Sequence, residues 1–222
     1  MKQIIFATGN AGKMKEIREI LDGTGWNVLS LKDAGIDTEI EENGTTFEEN
    51  AKIKAEGIRN WCLENGIPGC SRISAKEIIV LADDSGLEID WLGGEPGIYS
   101  ARYMGHETSY REKNANLISR LDGVPKEKRT ARFVCAIAAA LSDGNSLVTR
   151  GTIEGYIGWE ECGSNGFGYD PIFYLPEFGC TSAEITPEQK NEVSHRGKAL
   201  RAMRKELQGL FAKPEKEPEA KG

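Results

Sequence analysis

The sequence predicts an α/β protein built on a mixed β-sheet. Two observations carry this prediction. The chain opens as strand, turn and helix, and its centre reads as a long β-hairpin, so parallel and antiparallel pairings share one sheet.

The elements follow in order. Ile4-Ile5-Phe6-Ala7 is a short buried strand, and the helix from Lys13 carries Ile17, Ile20 and Leu21 on one face. A second strand is expected over 27–31. The acidic run "TEIEENG" (38–44) precedes a helix whose start is marked by Thr46 with Glu49 three residues on. Its core face runs Phe47, Ala51, Ala55, Ile58, Cys62. "IIVLA" (78–82) reads as a buried strand ending in "DDSG", followed by a half-exposed strand from Leu87. The Gly/Pro-rich "LGGEPGIYSARY" (92–103) is a turn region. Ser109 and Glu112 open a helix with Leu117, Ile118 and Leu121 inward. Residues 131–141 and 146–158 form the hairpin around Asp143-Gly144. "PIFYL" (171–175) is a further strand, and a last helix over 196–211 turns Ala199, Leu200, Met203, Leu207 and Leu210 to the core.

With 222 residues, 39% hydrophobic and 28% charged, the chain has the composition of a soluble globular protein. Its longest apolar stretch, Phe133 to Leu141, is too short to span a bilayer, and no secretory signal is read at the N-terminus. A membrane partner is not expected. The formal charge of −7 argues against a general nucleic-acid surface. Five cysteines without CxxC spacing point to reduced thiols and a cytoplasmic location. Residues 1–211 are expected to form a single domain, and the Pro/Lys/Glu tail 212–222 to be disordered.

Several stretches could carry chemistry. "ATGNAGK" (7–13) follows the first strand but matches neither the P-loop nor the dinucleotide fingerprint. It reads either as an anion site, with Gly9 and Gly12 admitting a phosphate to the helix N-terminus, or as an ordinary turn with a solvated lysine. Asp83 and Asp84 leave the end of a buried strand, where α/β sheets gather ligands. Their side chains must point to opposite sides, so one of them faces a given site. Either could hold a hard cation or take a proton from water. Glu39, Glu41 and Glu42 could share that cation, or form a solvated face. "GFGYDP" offers aromatic rings for stacking on a base, and His195 with Arg196 begins the last helix.

In order, "ATGNAGK", "EENGTTFEENA", "LADDSGLEID", "LGGEPGIYSARY", "RTARF", "GFGYDPIF" and "SHRGKAL" closely resemble the inosine triphosphate pyrophosphatase family, the XTP/dITP diphosphatases. The resemblance covers residues 3 to 210. It implies an elongated mixed sheet flanked by helices, two lobes around a central cleft, and a homodimer. It also implies Mg²⁺-dependent hydrolysis of ITP, dITP and XTP to monophosphate and pyrophosphate, cleansing the nucleotide pool. By the same resemblance, Thr8, Gly9, Asn10, Ala11, Gly12 and Lys13 bind triphosphate and Lys54 neutralises phosphate. Asp84 is the proton acceptor and a metal ligand, with Ser85 beside it, and Glu41 is the second metal ligand. Phe167, Gly168, Tyr169 and Asp170 form the base-side strip, and Lys190, His195 and Arg196 make further substrate contacts. The chain departs from the family pattern at Cys180, where relatives often carry lysine, and in a longer segment around 60–77.

Overall fold

The structure, a computed structural model, describes residues 2–70 and 78–211. Residues 71–77, within the longer segment noted above, and the tail 212–222 lie outside the described residues.

Seven strands form one sheet in the order β2-β1-β3-β4-β5-β6-β7. They are β1 (Lys2–Phe6), β2 (Trp26–Ser30), β3 (Ile78–Ile89), β4 (Thr130–Ala140), β5 (Ser146–Ile157), β6 (Phe173–Leu175) and β7 (Cys180–Thr181). β1 lies parallel to β2 and β3, and the other neighbours are antiparallel. Among the described residues five α-helices cover the sheet: α1 (Ala11–Leu21), α2 (Phe47–Asn65), α3 (Tyr110–Arg120), α4 (Pro187–Val193) and α5 (His195–Phe211). The fold is therefore the mixed, helix-flanked sheet that the sequence predicts.

Sheet parity decides which helix covers which strand residue. The even-numbered side chains Val80, Ala82, Val134, Ala136 and Ala138 pack against Phe47, Ala51, Ala55, Ile58 and Cys62 of α2. On the other face Leu81, Cys135 and Ile137 meet Met14 and Ile17 of α1 and Leu200, Met203 and Leu207 of α5. Further along that second face, Leu87, Ile89 and Phe133 meet Leu117 and Leu121 of α3. Between these two clusters β3 carries Asp83 and Ser85. Polar side chains thus occupy the gap between α1/α5 and α3, and that gap is the cleft.

Two expectations change. "DDSG" does not end the strand: β3 runs unbroken through it, with Asp83, Asp84 and Ser85 paired to Ile137, Ala136 and Cys135 of β4. β1 ends at Phe6, opposite Leu81. Beyond that point β3 has lost its neighbour on one edge while β4 still holds it on the other, so the aspartates sit at a free edge rather than a strand end. The last helix also differs from its expected face, since Leu210 is 54% exposed while Leu207 is buried.

Both structural caps read from sequence are present. Thr46 accepts from the Glu49 amide, but the Glu49 carboxylate bonds Thr45 instead of completing the box. The Ser109–Glu112 box is complete. The "RTARF" arginine has a structural job. Arg129 is buried and donates to the carbonyls of Leu121, Ile157 and Gly158, tying the α3 C-terminus to the hairpin.

Candidate active site

The first loop is built by its own side chains. Asn10 caps α1 by accepting from the Lys13 amide at 3.0 Å, and Thr8 Oγ1 accepts from the Asn10 amide at 3.2 Å. Gly9, Ala11 and Gly12 are exposed at the helix start, where uncapped amides favour an anion. Lys13 turns inward, its ammonium 2.9 Å from the Asp83 carboxylate.

Asp83 is the charge centre of this face. Besides Lys13 it has the Arg196 guanidinium at 3.5 Å and accepts from Ser85 Oγ at 2.7 Å. Burial opposes its ionisation, but the Lys13, Arg196 and Lys54 charges outweigh burial and hold the carboxyl well below its usual range. Its Oδ1 has no hydrogen-bond partner among the described residues.

Asp84 points the other way, toward α2. Asn50, buried on the helix face that also carries Ala51, donates to Asp84 Oδ2 at 3.1 Å and accepts from the Gly44 amide at 2.8 Å. Burial, helped by the Glu42 charge, outweighs the Asn50 hydrogen bond and the Lys54 and Lys13 charges and leaves the Asp84 carboxyl pushed up to about 6. Lys54 pairs with Glu42 at 2.9 Å and donates to the Asp83 carbonyl at 3.3 Å. Burial weakens its charge, but Asp83 and Glu42 outweigh that and raise its pKa.

Within the acidic run the two candidate carboxylates are placed differently. Glu41 is exposed, whereas Glu42 is the carboxylate that reaches Lys54 and influences Asp84. Burial alternates through this stretch, with 39 and 41 out and 40 and 42 in. Neighbouring side chains of an extended segment point to opposite sides. One step in register therefore decides which of the two glutamates turns inward.

The cleft encloses about 760 Å³, its open mouth included, within the range of small-molecule sites. Its floor is Phe133, with the His195 ring stacked on it at 5.0 Å. His195 is buried, and burial, then the Arg196 and Lys190 charges, keep its pKa well below 6.5, so the imidazole is neutral. Its Nδ1 and the Arg196 Nε lack partners among the described residues. Lys190 and Arg196 lie over the Phe167 ring at 5.0 and 5.7 Å. Lys190 also pairs with Asp170 at 2.6 Å. Asp170 is buried, accepts from the Phe167 amide at 2.8 Å and from Ser182 at 2.7 Å, and so folds the base-side strip. Gly166 has φ +76°, and a Cβ there would collide with the Asp170 carboxylate. Tyr169 is buried, its hydroxyl donating to the Ser100 carbonyl at 2.7 Å, so it supports the cleft wall. Gly168 lies on that wall.

Three side chains of this site were not read from sequence. Glu16 holds Lys190 at 3.4 Å and also pairs with Arg196, joining α1 to α4 and α5. It lies three residues after Lys13 on one helix face, a spacing that could have flagged it. Asn50 is a polar residue inside the α2 core stripe, equally a signal. Tyr110, on the cleft wall, left no comparable trace.

Among the described residues there is no cluster of three or more His, Cys, Asp or Glu side chains poised as a metal centre. Glu42 and Asp84 form a two-carboxylate set at the site, which suits Mg²⁺, an ion that commonly takes one or two carboxylates and completes its shell with substrate phosphates and water.

Comparisons with known proteins converge. Residues 4–206 match the model of the Ham1 family. The chain is 45% identical over 211 residues to a dITP/XTP pyrophosphatase of Clostridium perfringens, covering 95% of this chain and all of that one. It is 45% identical over 208 residues to the dITP/XTP pyrophosphatase of Bacillus subtilis, covering 94% and 98%. The structure superposes on the Staphylococcus aureus Ham1 protein with a TM-score of 0.79 at 37% identity, covering 94% of this chain and all of that one. A Ham1 protein from Coxiella burnetii matches at 0.79 and 36%, with the same coverage. With the motifs, the sheet order and these matches in agreement over nearly its whole length, the chain belongs to the Ham1 family.

Proposed function

We propose that the chain is a nucleoside triphosphate pyrophosphatase acting on non-standard purine nucleotides of the dITP, XTP and ITP type, releasing the monophosphate and pyrophosphate. That it is an enzyme of this kind rests on the relatives named dITP/XTP pyrophosphatase. One observation carries the site reading. Lys13 and Lys54 approach Asp83 from opposite faces of β3, one at its carboxylate and one at its carbonyl, at 2.9 and 3.3 Å. Two cations thereby bracket the free strand edge where Asp84 stands.

In this reading the triphosphate crosses that edge, with Lys13, Lys54 and the amides of Ala11 and Gly12 balancing its charge. Asp84 orients the attacking water and takes its proton. A carboxyl raised to about 6 is a better base than an ordinary one and is still ionised at neutral pH. Mg²⁺, when bound, would supply charge neutralisation at the phosphates, with Asp84 and Glu42 as its protein ligands.

The base lies in the cleft beside Phe167. The unpartnered His195 Nδ1 and Arg196 Nε are buried polar atoms that a ligand could satisfy. A donor facing C6 accepts the keto bases and leaves adenine's amino group unpaired. GTP shares the C6 oxygen, so it must be refused at C2. The homodimer and the cytoplasmic location are part of the same proposal, the first resting on the family resemblance and the second on the cysteine content. Among the described residues no helix is long and apolar enough to cross a membrane.

³¹P NMR with Mg²⁺ and dITP, XTP or ITP, beside ATP and GTP controls, tests this directly. Pyrophosphate and monophosphate from the non-standard nucleotides, with ATP and GTP nearly untouched, is the expected result. Orthophosphate and a diphosphate would place attack at the γ-phosphate and overturn the mechanism.

A further inference from the structure

The α3 side of the cleft ends in Tyr110, which none of the mechanism above uses. It is the first residue of α3, directly after the Ser109 cap, whose complete box fixes where the helix begins. Its ring stands edge-on to Tyr169, with centroids 5.3 Å apart at 88°. Lys113, one turn on, lies over the same ring at 4.9 Å while donating to the Ala101 carbonyl at 2.8 Å. Asn114 donates to the Gly168 carbonyl at 3.3 Å. Three contacts from α3 thus fasten a wall on which Tyr110 is set, yet the residue remains 39% exposed and lines the cleft.

An aromatic ring held this firmly and left open to a cleft is a preorganised contact surface. Other aromatic rings lining the cleft are Phe167, on the side of α1 and α5, Tyr169 behind Tyr110, and Phe133 on the floor beneath His195. We propose that Tyr110 is a specificity-determining residue whose ring contacts the purine base and so selects nucleotides over base-free polyphosphates. The inference rests on the nucleotide reading above and assigns one wall of its base pocket.

The test separates base contact from general damage by comparing two ligands. Binding of IMP and of inorganic tripolyphosphate is measured by calorimetry for the wild type, Tyr110→Ala and Tyr110→Phe. Stacking a base on an aromatic ring contributes enough that its loss is expected to weaken IMP roughly 5- to 100-fold. Tripolyphosphate affinity is expected to stay within twofold, and Tyr110→Phe to restore IMP binding. Equal weakening of both ligands by Tyr110→Ala, or no change in either, overturns the proposal. If Tyr110→Ala does not fold, Tyr110→Trp supplies the readout. Its added fluorescence should be quenched by IMP and not by tripolyphosphate, and absence of that difference overturns the proposal too. A wild type that neither binds IMP nor cleaves dITP would instead remove the underlying nucleotide reading.

Discussion

Asp83 and Asp84 are adjacent in the chain and serve opposite faces of one strand. Asp83 is locked among Lys13, Arg196 and Ser85 on the α1/α5 face, while Asp84 meets Asn50 on the α2 face. Their surroundings push the two carboxyls in opposite directions, Asp83 down and Asp84 up to about 6. A paired carboxylate that organises cations and a strained one that can accept a proton are thus made from one dipeptide.

Asp84→Asn is expected to abolish turnover and to stabilise the protein. Because its folded carboxyl titrates near 6 against an ordinary value of 3.8, the native state binds the extra proton between those values. Wild-type stability therefore falls as pH rises from about 4 to 6, and the cost persists above. The substitution removes it, so a gain of about 1–3 kcal/mol is expected at pH 7.5 without divalent metal, fading by pH 4. Urea unfolding at both pH values checks this. Equal or lower stability at pH 7.5 would mean that Asp84 is not strained.

Asp83→Asn reverses the sign of the stability change and of its pH dependence. It leaves Lys13 and Arg196 without their shared anion, and breaking such a buried pair costs about 3–5 kcal/mol. A depressed carboxyl contributes stability above its unfolded pKa and loses it as the pH falls toward the folded value. The difference from wild type should be full at pH 6 and shrink as the pH drops from 4 toward 2. A gap that stays constant with pH would assign the loss to packing instead of charge.

Glu42 and Glu41 should separate cleanly in a Mg²⁺ titration of dITP hydrolysis. Glu42→Gln removes the carboxylate that lies with Lys54 and Asp84. It is expected to raise the Mg²⁺ needed for half-maximal rate at least tenfold, in line with the contribution of charged oxygen ligands to such sites. Glu41→Gln, changed at an exposed position, should follow the wild-type curve. The reverse pattern would restore Glu41 as the ligand.

Much of this was legible because it is local. The strand–turn–helix opening, the Ser109–Glu112 cap, the hairpin and the start of the last helix depend on spacing and turn chemistry, and each lies within two residues of its expected bounds. The motifs likewise brought Lys13, Lys54, Asp84, His195 and Arg196 to one neighbourhood. What escaped depends on partners distant in sequence. The run "DDSG" reads as the end of a strand, and its pairing with β4, about fifty residues away, holds it extended. Which of Glu41 and Glu42 turns inward depends on the register of an irregular segment, which composition does not encode. Tyr110 reaches the cleft only because Lys113 and Asn114 fasten α3 to Ala101 and Gly168.

Gly151→Ala tests how the cleft floor is held. β5 passes so close to α5 at this point that an added Cβ would overlap the His195 carbonyl oxygen and lie 2.7 Å from the Ala199 amide nitrogen. Both are backbone atoms, so neither can rotate away, and α5 must shift as a body. Such overpacking costs about 1–3 kcal/mol. The same shift moves His195 off Phe133 and Arg196 away from Asp83, so kcat/KM for dITP is expected to fall at least tenfold, as sub-ångström misplacement of positioning groups allows. Unfolding curves and steady-state rates on one preparation measure both effects. Reduced stability with unchanged kcat/KM would show that the α5 N-terminus is positioned from α1 through Glu16, independently of its contact with the sheet.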